Sequence, residues 1–519
     1  MAAADRLSAL ADDILQRILS FAPLRDAAAS AILPRRWRPL WRRTSFLNLD
    51  SRPYSSSFRL RDPRLDAFFH HASAALADRR SGTELRRLAL VLTEDAYLLH
   101  GEDYWMRDVE PEQDVRVAGL LADPATAALE ELRINADGNK FVPPLAFLPC
   151  AATTLRVLEL DCCNLEPSAG LAFPRLRDLT MRRCNYLAGC LQAVVDAAPA
   201  ITSLTLVEVT NKSPAPPNEP LPFGMTRSAF NLPLRLRCPT VTDFVLVTNM
   251  SLDLEEQDDS RDIGIQLDMP NLRSFRYWGF PVKFSLTSPA PGLARVDFDA
   301  TPRENYALMP EPPSRMLRSF SGTRALKLHI NSVEDIVAEG EEHGGDILPT
   351  FPNLKLLEIE GTLYNCSMAL AMATLLRSCP AITELRVRLS NWEDYYVREG
   401  TGDPFAESME RFNRVASMCS AHRGIVEFGG VSELPDAFTN NCSFSYLQKV
   451  TLQFKSTKLN CFQVQLAKFL VENAVVLKEM HIEDGSQFWT DHLVHKVARW
   501  RADAFRRRNL TDTAGFRVY

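Results

Sequence analysis

The chain has 519 residues, of which 46% are apolar and 24% carry a charged side chain. This length exceeds one ordinary hydrophobic core and predicts two or more domains or a repeat array, and the apolar content excludes a disordered chain. The formal net charge of −6 gives no reason to expect nucleic-acid binding, and no apolar run reaches the roughly 18 residues of a membrane span.

Residues 7–49 have the spacing of short helices separated by prolines. We expect Asp12 to cap the first helix, because its carboxylate can accept a hydrogen bond from a free N–H of the first turn. Pro23 ends that helix, and Asp26 is expected to cap a second one that extends to Leu33. A segment of this size buries too little surface to be stable alone, so its remaining apolar face should dock elsewhere. Its apolar stripes consist of Ile14, Leu15, Ile18, Leu19, Trp37, Leu40 and Trp41.

These residues resemble the F-box of plant F-box proteins. The resemblance rests on LSALADDILQRILSFAPLRDA at 7–27 and LPRRWRPLW at 33–41, where the family has proline in place of Ala11 and serine in place of Pro34. It implies binding to a Skp-type adaptor and, through it, to a cullin-based ubiquitin ligase. The side chains expected to contact the adaptor are Leu10, Ile14, Leu15, Ile18, Leu19, Leu24, Trp37 and Trp41.

Residues 50–84 are predicted to form a connector that contains one helix. The stretch 50–66 is polar and has two prolines. Residues 65–76 have the apolar spacing of a helix, and the sequence Arg79-Arg80-Ser81-Gly82 is a stop signal.

From Leu85 onward the apolar residues recur as a repeat. The clearest copy, LRVLELDCCNL at 155–165, fits the leucine-rich-repeat pattern L-x-x-L-x-L-x-x-C-x-L at every defined position. Copies that start at residues 129, 155, 176 and 201 are 26, 21 and 25 residues apart, within the roughly 20–29 residues of such repeats. The longer steps imply insertions at 213–223, 253–262, 288–314 and 334–345.

Each repeat is predicted to contain a strand, a turn and a helix. Proline often precedes the strand, where its missing N–H is tolerated, and residues 187–197 and 368–378 have the spacing of helices. The predicted fold class is therefore α/β, with an all-α F-box cluster followed by a leucine-rich-repeat solenoid that has parallel strands inside and helices outside. An ordinary α/β domain with alternating elements is the alternative.

The C-terminal part resembles the FBD region of plant F-box/leucine-rich-repeat proteins. The resemblance covers a strand at 447–454, a helix ending in FLVENA at 469–474 and a strand at 477–482. The arginines after residue 490 form either a solvated helix end or a weak nuclear-import patch. The predicted organisation is an F-box at 1–49, a connector at 50–84, leucine-rich repeats at 85–423, an FBD-like repeat and cap at 424–490, and a basic tail at 491–519.

No pattern in the chain predicts catalysis, a cofactor or a metal site. The sequence has no glycine-rich phosphate-binding loop, metalloprotease motif or nucleophile elbow. His70 and His71 are adjacent and would lie on different faces of a helix, and Cys162–Cys163 lacks the spacing of zinc ligands. We therefore expect a protein that is not an enzyme.

The outward side chains of the repeat strands form the candidate substrate surface. The consensus leucines point inward, so the residues between them line the concave face. Trp278 beside Arg276 is a candidate anchor, since both residue types are enriched at binding hot spots; alternatively, Trp278 packs under the loop around Phe280 and Pro281. The candidate residues are Glu159, Asp161, Arg182, Arg276, Trp278, Glu358, Glu360, Arg386 and Arg388.

The two resemblances imply a substrate-recruiting subunit of a Skp–cullin–F-box ubiquitin ligase that acts in protein degradation. The F-box would bind the adaptor, and the repeat face would hold a target protein whose lysines come close to a ubiquitin-charged enzyme. The alternative is a non-degradative scaffold that uses the F-box for assembly only. The eleven scattered cysteines favour a reducing compartment, so we expect the nucleus, the cytoplasm or both.

Overall fold

The chain forms two compact units, the N-terminal unit (Met1–Asp253) and the C-terminal unit (Leu254–Tyr519). The predicted insertions at 213–223, 253–262 and 334–345 lie outside the residues that the structure describes, as does the predicted end of the second helix. The computed structural model describes residues 10–30, 36–37, 39–54, 63–80, 84–99, 112–113, 115–151, 153–187, 189–212, 234–248, 264–279, 281–299, 313–330, 348–362, 368–390, 444–455, 461–484, 487–511 and 515–519.

The described helices of the N-terminal unit precede or connect the strands of its sheet. They confirm the helix predicted at 65–76 and place a shorter helix within 187–197. The helices are α1 (Asp12–Leu19), α2 (Leu24–Ala29), α3 (Pro63–Arg80), α4 (Glu94–Tyr97), α5 (Val115–Leu121) and α6 (Cys190–Asp196), with a 3-10 turn at Trp41–Arg43 after α2.

The starts of α1 and α2 differ from the sequence prediction. Ala11 and Pro23 occupy the cap positions, so the prediction that Asp12 and Asp26 cap these helices is wrong. Both carboxylates lie in the first turn, where the helix dipole stabilises negative charge without a capping hydrogen bond. Pro23 suits a helix start because it has no N–H that would need a partner.

The N-terminal unit contains a parallel sheet in which each strand pairs with the next one in the list. Residues alternate between buried and partly exposed along each strand, as the leucine spacing predicts. Its strands are β1 (Phe46–Asp50), β2 (Arg87–Leu92), β3 (Glu131–Ala136), β4 (Val157–Asp161), β5 (Asp178–Arg182), β6 (Ser203–Val207) and β7 (Asp243–Val247). Shorter strands lie at Leu98–Leu99, Glu112–Gln113, Asn164–Leu165, Asn185–Tyr186, Thr210–Asn211 and Leu234–Arg237.

The same turn follows three successive strands of this sheet. Cys162, Arg183 and Glu208 have positive φ angles of 55°, 47° and 53°. The N–H of Cys162 donates to Arg182 O at 2.9 Å, and the N–H of Arg183 donates to Val207 O at 2.7 Å. Each turn is therefore held by the end of the next strand, which offsets the strain of a left-handed conformation in a residue with a side chain.

The strands of the C-terminal unit also pair in parallel and show the same alternation of buried residues. Its strands are β8 (Ser274–Trp278), β9 (Arg295–Asp299), β10 (Ala325–Ile330), β11 (Leu356–Thr362), β12 (Glu384–Ser390), β13 (Lys449–Lys455), β14 (Glu479–Asp484) and β15 (Arg517–Val518), with a short parallel pair at Gly264–Asp268 and Lys283–Leu286. Its described helices are α7 (Pro313–Arg318), α8 (Met368–Arg377), α9 (Cys461–Asn473) and α10 (Gln487–Arg507).

The two units confirm the predicted fold class. Every pair between the numbered strands of either unit is parallel, and strand copies such as β4 and β5 match in register, with Leu158 opposite Leu179 and Leu160 opposite Met181. These consensus side chains are buried, so stacked repeats share a continuous core, as leucine-rich repeats require. None of the helices in the described ranges has the length and apolar character needed to cross a membrane.

A buried arginine fastens α10 to the C-terminal unit. The Arg501 guanidinium donates to the carbonyl oxygens of Ala474, Val475 and Leu477, each at 3.1 Å. It also lies over the rings of Phe505 and Phe516, 4.5 and 4.6 Å from their centroids. Helix α10 crosses the boundary predicted at residue 490, and Arg501 belongs to the packed interior rather than to a solvated helix end.

Candidate functional site

The F-box cluster has a hydrophobic core of its own. Among the residues expected to contact the adaptor, Leu15, Leu19 and Trp37 are buried in this core together with Ala27 and Leu40. These three side chains hold the cluster together, because short helices can exclude water only by packing their stripes against one another. Leu10 and Trp41 pack at the edge of the core and are partly exposed, and Leu24 is also partly exposed.

An exposed apolar stripe lies on the other side of α1. Ile14, Ile18 and Phe21 are 44%, 42% and 66% exposed. Their spacing of four and three residues places them along one line of the helix and its last turn. The sequence prediction included Ile14 and Ile18 but not Phe21, although the same spacing that defines the stripe would have included it.

Two side chains fasten the F-box cluster to the first strand and to α3. The Asn48 side chain in β1 donates to Ser20 O at 2.8 Å and to Ala22 O at 3.2 Å, at the end of α1. The buried Arg79 guanidinium of α3 donates to Trp41 O at 2.8 Å and also to the carbonyl of Thr44. Burial lowers the pKa of Arg79 from its usual value. The cluster therefore continues into the sheet without a solvated linker between them.

A groove of about 780 Å³ lies between α2 and α3. Leu24 and Ala28 of α2 form one wall, Ala67 and Ala74 of α3 form the other, and Trp41 lines the space between them. Two of the residues expected to contact the adaptor, Leu24 and Trp41, therefore face this groove rather than the stripe on α1.

Two of the three predicted substrate residues of the N-terminal unit, Glu159 and Asp161, belong to ion pairs. Glu159 pairs with Arg133 at 3.3 Å. The Asp161 carboxylate accepts two hydrogen bonds from Arg183, at 2.9 and 2.6 Å. Arg182 is exposed at the end of β5. Glu159 and Asp161 lie two residues apart on β4, and their pairing with Arg133 and Arg183 was not visible in the repeat pattern.

The predicted substrate residues of the C-terminal unit form a ladder of alternating charge. Glu358 pairs with Arg386 at 2.6 Å and with Arg295 at 3.2 Å, and Glu360 pairs with Arg388 at 3.0 Å and with Lys327 at 2.9 Å. Burial raises the pKa of Glu360, but its pairs with Lys327 and Arg388 outweigh that effect, so the pKa is lowered overall. The charged side chains of the ladder are thus already paired with one another.

A histidine and a tryptophan lie on the same face of the C-terminal unit. His329 Nδ1 is 2.7 Å from the Asp299 carboxylate, and this hydrogen bond raises the pKa of His329. Trp278 is 42% exposed at the end of β8, and Phe280, part of the loop in the alternative placement, lies outside the described residues. Arg276, two residues earlier, pairs with Asp297 at 3.3 Å.

The residues considered for metal binding are not brought together. His70 and His71 lie in α3, where His71 Nδ1 is 3.1 Å from the Tyr54 hydroxyl. Cys163 and Cys184 are buried at the consensus position of successive repeats, and the Cys163 thiol donates to Asp161 O at 3.4 Å. Within the described ranges, no group of three or more His, Cys, Asp or Glu side chains could hold a metal ion.

Known proteins share both the repeats and the larger architecture. A family model described as "FBD-associated F-box protein At5g56370, LRR repeats" matches residues 117–216. The F-box/FBD/LRR-repeat protein At1g80470 of Arabidopsis thaliana is 39% identical over 390 residues, which cover 73% of this chain and 72% of that protein. The chain belongs to the F-box/FBD/LRR-repeat family. The predicted resemblance to plant F-box/leucine-rich-repeat proteins with an FBD region is thereby confirmed.

Other members of the F-box group match shorter parts of the chain. The rice protein MEIOTIC F-BOX protein MOF is 31% identical over 220 residues, 40% of this chain and 42% of the rice protein. The FBD-associated F-box protein At4g10400 of Arabidopsis thaliana is 27% identical over 281 residues, 52% of this chain and 60% of that protein. The chain thus matches less than two thirds of the length of either relative.

Proposed function

We propose that this chain is the substrate-recruiting subunit of a Skp–cullin–F-box ubiquitin ligase and supplies no catalytic group of its own. The F-box cluster binds the Skp-type adaptor, and the outward faces of the repeat strands bind a target protein. Membership of the F-box/FBD/LRR-repeat family supports this proposal. The proposal places the complex in the nucleus, the cytoplasm or both, in keeping with the cysteine content of the sequence.

The observation that carries the proposal is the exposed apolar stripe of Ile14, Ile18 and Phe21. Among the described residues, the core of the cluster is formed by other side chains than these three. Covering the exposed part of each would contribute on the order of 1 kcal/mol to binding. An apolar stripe on a small helical cluster therefore favours a protein partner.

The first test is the affinity of the purified full-length chain for a plant Skp-type adaptor, measured by isothermal titration calorimetry. Ile18→Asp places a charge that the partner would have to desolvate. We expect it to weaken adaptor binding by at least about tenfold, the effect of losing roughly 1.4 kcal/mol.

The matched control is Val115→Asp, at an exposed apolar position of α5 outside the F-box. It introduces the same charge and should leave the affinity unchanged. A failure of the intact chain to bind the adaptor would overturn the proposal, and an equal loss in both variants would show that the stripe is not the binding surface.

A second test separates a ligase subunit from a scaffold. Proteins captured by the intact chain but not by the Ile18→Asp variant contain partners of the assembled complex. Their abundance should rise when the proteasome is inhibited in cells that express the intact chain. Unchanged abundance would instead support a non-degradative scaffold.

A further inference from the structure

The residues that precede the strands of the C-terminal unit form a row across the repeats. The residue before each strand from β9 to β14 donates its backbone N–H to the carbonyl oxygen of the residue before the preceding strand, at 2.8 to 3.2 Å. These equivalent positions therefore lie side by side, and we call them the entry row. In order from β8 to β14, the entry row consists of Arg273, Ala294, Arg324, Lys355, Thr383, Gln448 and Lys478.

The entry row contains cations without compensating anions. Arg273, Arg324 and Lys478 are exposed, and none of them forms an ion pair with another described residue. The row therefore differs from the charge ladder on the outward face, whose side chains are paired. No aspartate or glutamate occurs in the described loops that lead into these strands, which are residues 269–273, 289–294, 319–324, 348–355, 378–383, 444–448 and 474–478.

The positive charge is least compensated from β8 to β11. The first outward positions of these four strands also carry no carboxylate, whereas Glu384 and Glu479 begin β12 and β14 and pair with Arg386 and Lys449. The four positions are Ser274, Arg295, Ala325 and Leu356.

The fold does not require cations in the entry row. Ala294 and Thr383 occupy the same position in other repeats and make the same backbone hydrogen bonds. The chain as a whole has a formal net charge of −6, so the row is not part of a general excess of basic residues. A row of exposed like charges that the fold does not need favours a partner of opposite charge.

The spacing of the cations suits carboxylates rather than phosphate groups. Arg324 and Lys355 precede adjacent strands, and Arg273 precedes the strand two before that of Arg324, so the row offers single charges about 5 and 10 Å apart. The Lys355 ammonium donates to Ala381 O at 3.3 Å and lies 5.7 Å from the ring centroid of Tyr446, on the side away from Arg324. Separate cations match singly charged groups, whereas a phosphate ester is bound best where several cations converge.

We propose that the entry row from β8 to β11 binds a segment of the target protein that is rich in aspartate and glutamate. This inference rests on the proposed function and deepens it, because it names the chemistry of the target. An extended segment of about five residues spans roughly 17 Å, enough to pass the three strand spacings of about 14 Å in total. Binding at this edge leaves the paired charges of the ladder in water, so their desolvation does not oppose it.

The first test uses a fluorescein-labelled peptide of alternating glutamate and serine, about ten residues long, with fluorescence anisotropy of the full-length chain as the readout. Its control is the same peptide with glutamine in place of glutamate. At low ionic strength the glutamate peptide should bind at least about tenfold more tightly, and the difference should shrink as salt is added. Failure to bind the glutamate peptide, or equal binding of both peptides, overturns the proposal.

The second test changes the central cation of the row. Arg324→Glu replaces an attraction with a repulsion and should weaken binding of the glutamate peptide by about tenfold. Arg324→Ala introduces a side chain that the row already contains at position 294 and should weaken binding by about threefold. The matched control is Arg499→Glu, at an exposed position of α10 outside the row, which should bind within about twofold of the intact chain. Equal losses in Arg324→Glu and Arg499→Glu would mean that only the overall charge matters and would overturn the proposal.

Two further probes distinguish carboxylates from phosphate groups. One is the control peptide with phosphoserine in place of serine, and the other is single-stranded DNA of similar length. Both should bind more weakly than the glutamate peptide. Tighter binding of either probe, reduced by Arg324→Ala, would assign the row to phosphate groups and overturn the proposal.

Adaptor binding separates this inference from the proposed function. Arg324→Glu should bind the Skp-type adaptor like the intact chain, because the F-box cluster belongs to the other unit, and this also shows that the variant is folded. If the intact chain binds the adaptor while the Arg324 variants keep full affinity for the glutamate peptide, the entry-row proposal is overturned and the F-box function stands. If the intact chain does not bind the adaptor, the proposed function fails, and peptide binding lost in Arg324→Glu would still support an acidic partner for the row.

Discussion

The two units build the same kind of parallel sheet but present different outward faces. In the N-terminal unit, one row across β5, β6 and β7 consists of Thr180, Thr205 and Val245 in register. In the C-terminal unit, the equivalent row across β9 to β12 consists of Asp297, Lys327, Glu358 and Arg386. The row of the N-terminal unit is neutral over β5 to β7, although on β4 and β3 it continues into the Glu159–Arg133 pair. The row of the C-terminal unit alternates in charge over all four strands.

This difference shows which positions of a repeat are constrained by the fold. The inward leucines must fill a shared core, so they are alike in both units. The outward positions face solvent and can differ without loss of the sheet. A charge ladder that already pairs internally must be desolvated by any partner that covers it, whereas Thr180, Thr205 and Val245 carry no such penalty.

The largest expected effect concerns the positions at which the units are alike. Leu204 in β6 and Leu357 in β11 are the second residues of their strands and are fully buried. Leu204→Ala and Leu357→Ala should each lower the free energy of unfolding of their own unit by about 3 kcal/mol. Hydrogen exchange of the amides in each sheet measures the two losses separately. An effect in only one unit would contradict the view that both have equivalent cores.

A smaller effect should distinguish the outward rows. Glu358 pairs with two arginines, so Glu358→Ala should destabilise the C-terminal unit by about 1 kcal/mol, less at high salt. The matched change Thr180→Ala should alter the N-terminal unit by no more than about 0.5 kcal/mol. Thermal unfolding at low and high salt provides the measurement, and equal effects of the two changes would remove the contrast between the faces.

The smallest expected effect is a pH dependence of the C-terminal unit alone. The hydrogen bond that His329 donates to the Asp299 carboxylate raises the pKa of His329, with Glu360 also favouring and Lys327 opposing its charge. A raised folded-state pKa contributes stability that is fully present below the unfolded pKa and is lost as pH rises through the folded pKa. His329→Gln should therefore reduce the fall in melting temperature between pH 6 and pH 8. The prediction does not hold if the variant and the intact chain show the same fall.

The strands were predictable from sequence because their evidence is local. An apolar residue at every second position predicts a half-buried strand from a stretch of only five or six residues. The cysteine of the repeat pattern, such as Cys163, marks the turn that follows the strand. The F-box residues were harder to assign. Leu15 and Ile14 belong to the same broad apolar stripe, and only the packing of the cluster shows that Leu15 is buried while Ile14 is exposed.

The remaining features depend on residues that are distant in sequence. In the sequence, Arg79 and Arg501 look like ordinary basic residues of helices. The carbonyl acceptors of Arg79 lie 35 and 38 positions away, and those of Arg501 lie 24 to 27 positions away. The ion pairs of the outward faces likewise depend on the register of neighbouring strands. The groove between α2 and α3 arises from the packing of two helices, which no single-segment pattern can report.

Because the F-box cluster continues directly into β1, the distance from the cluster to any strand of the N-terminal unit is set by the number of strands between them. Asn48 and Arg79 hold the cluster against the start of the sheet, and each further strand lies about 4.8 Å from the last. Strand β7 thus lies about 29 Å along the sheet from β1. If the proposed function holds, adding or removing one repeat would shift the lysines of a bound target by about 5 Å relative to the adaptor.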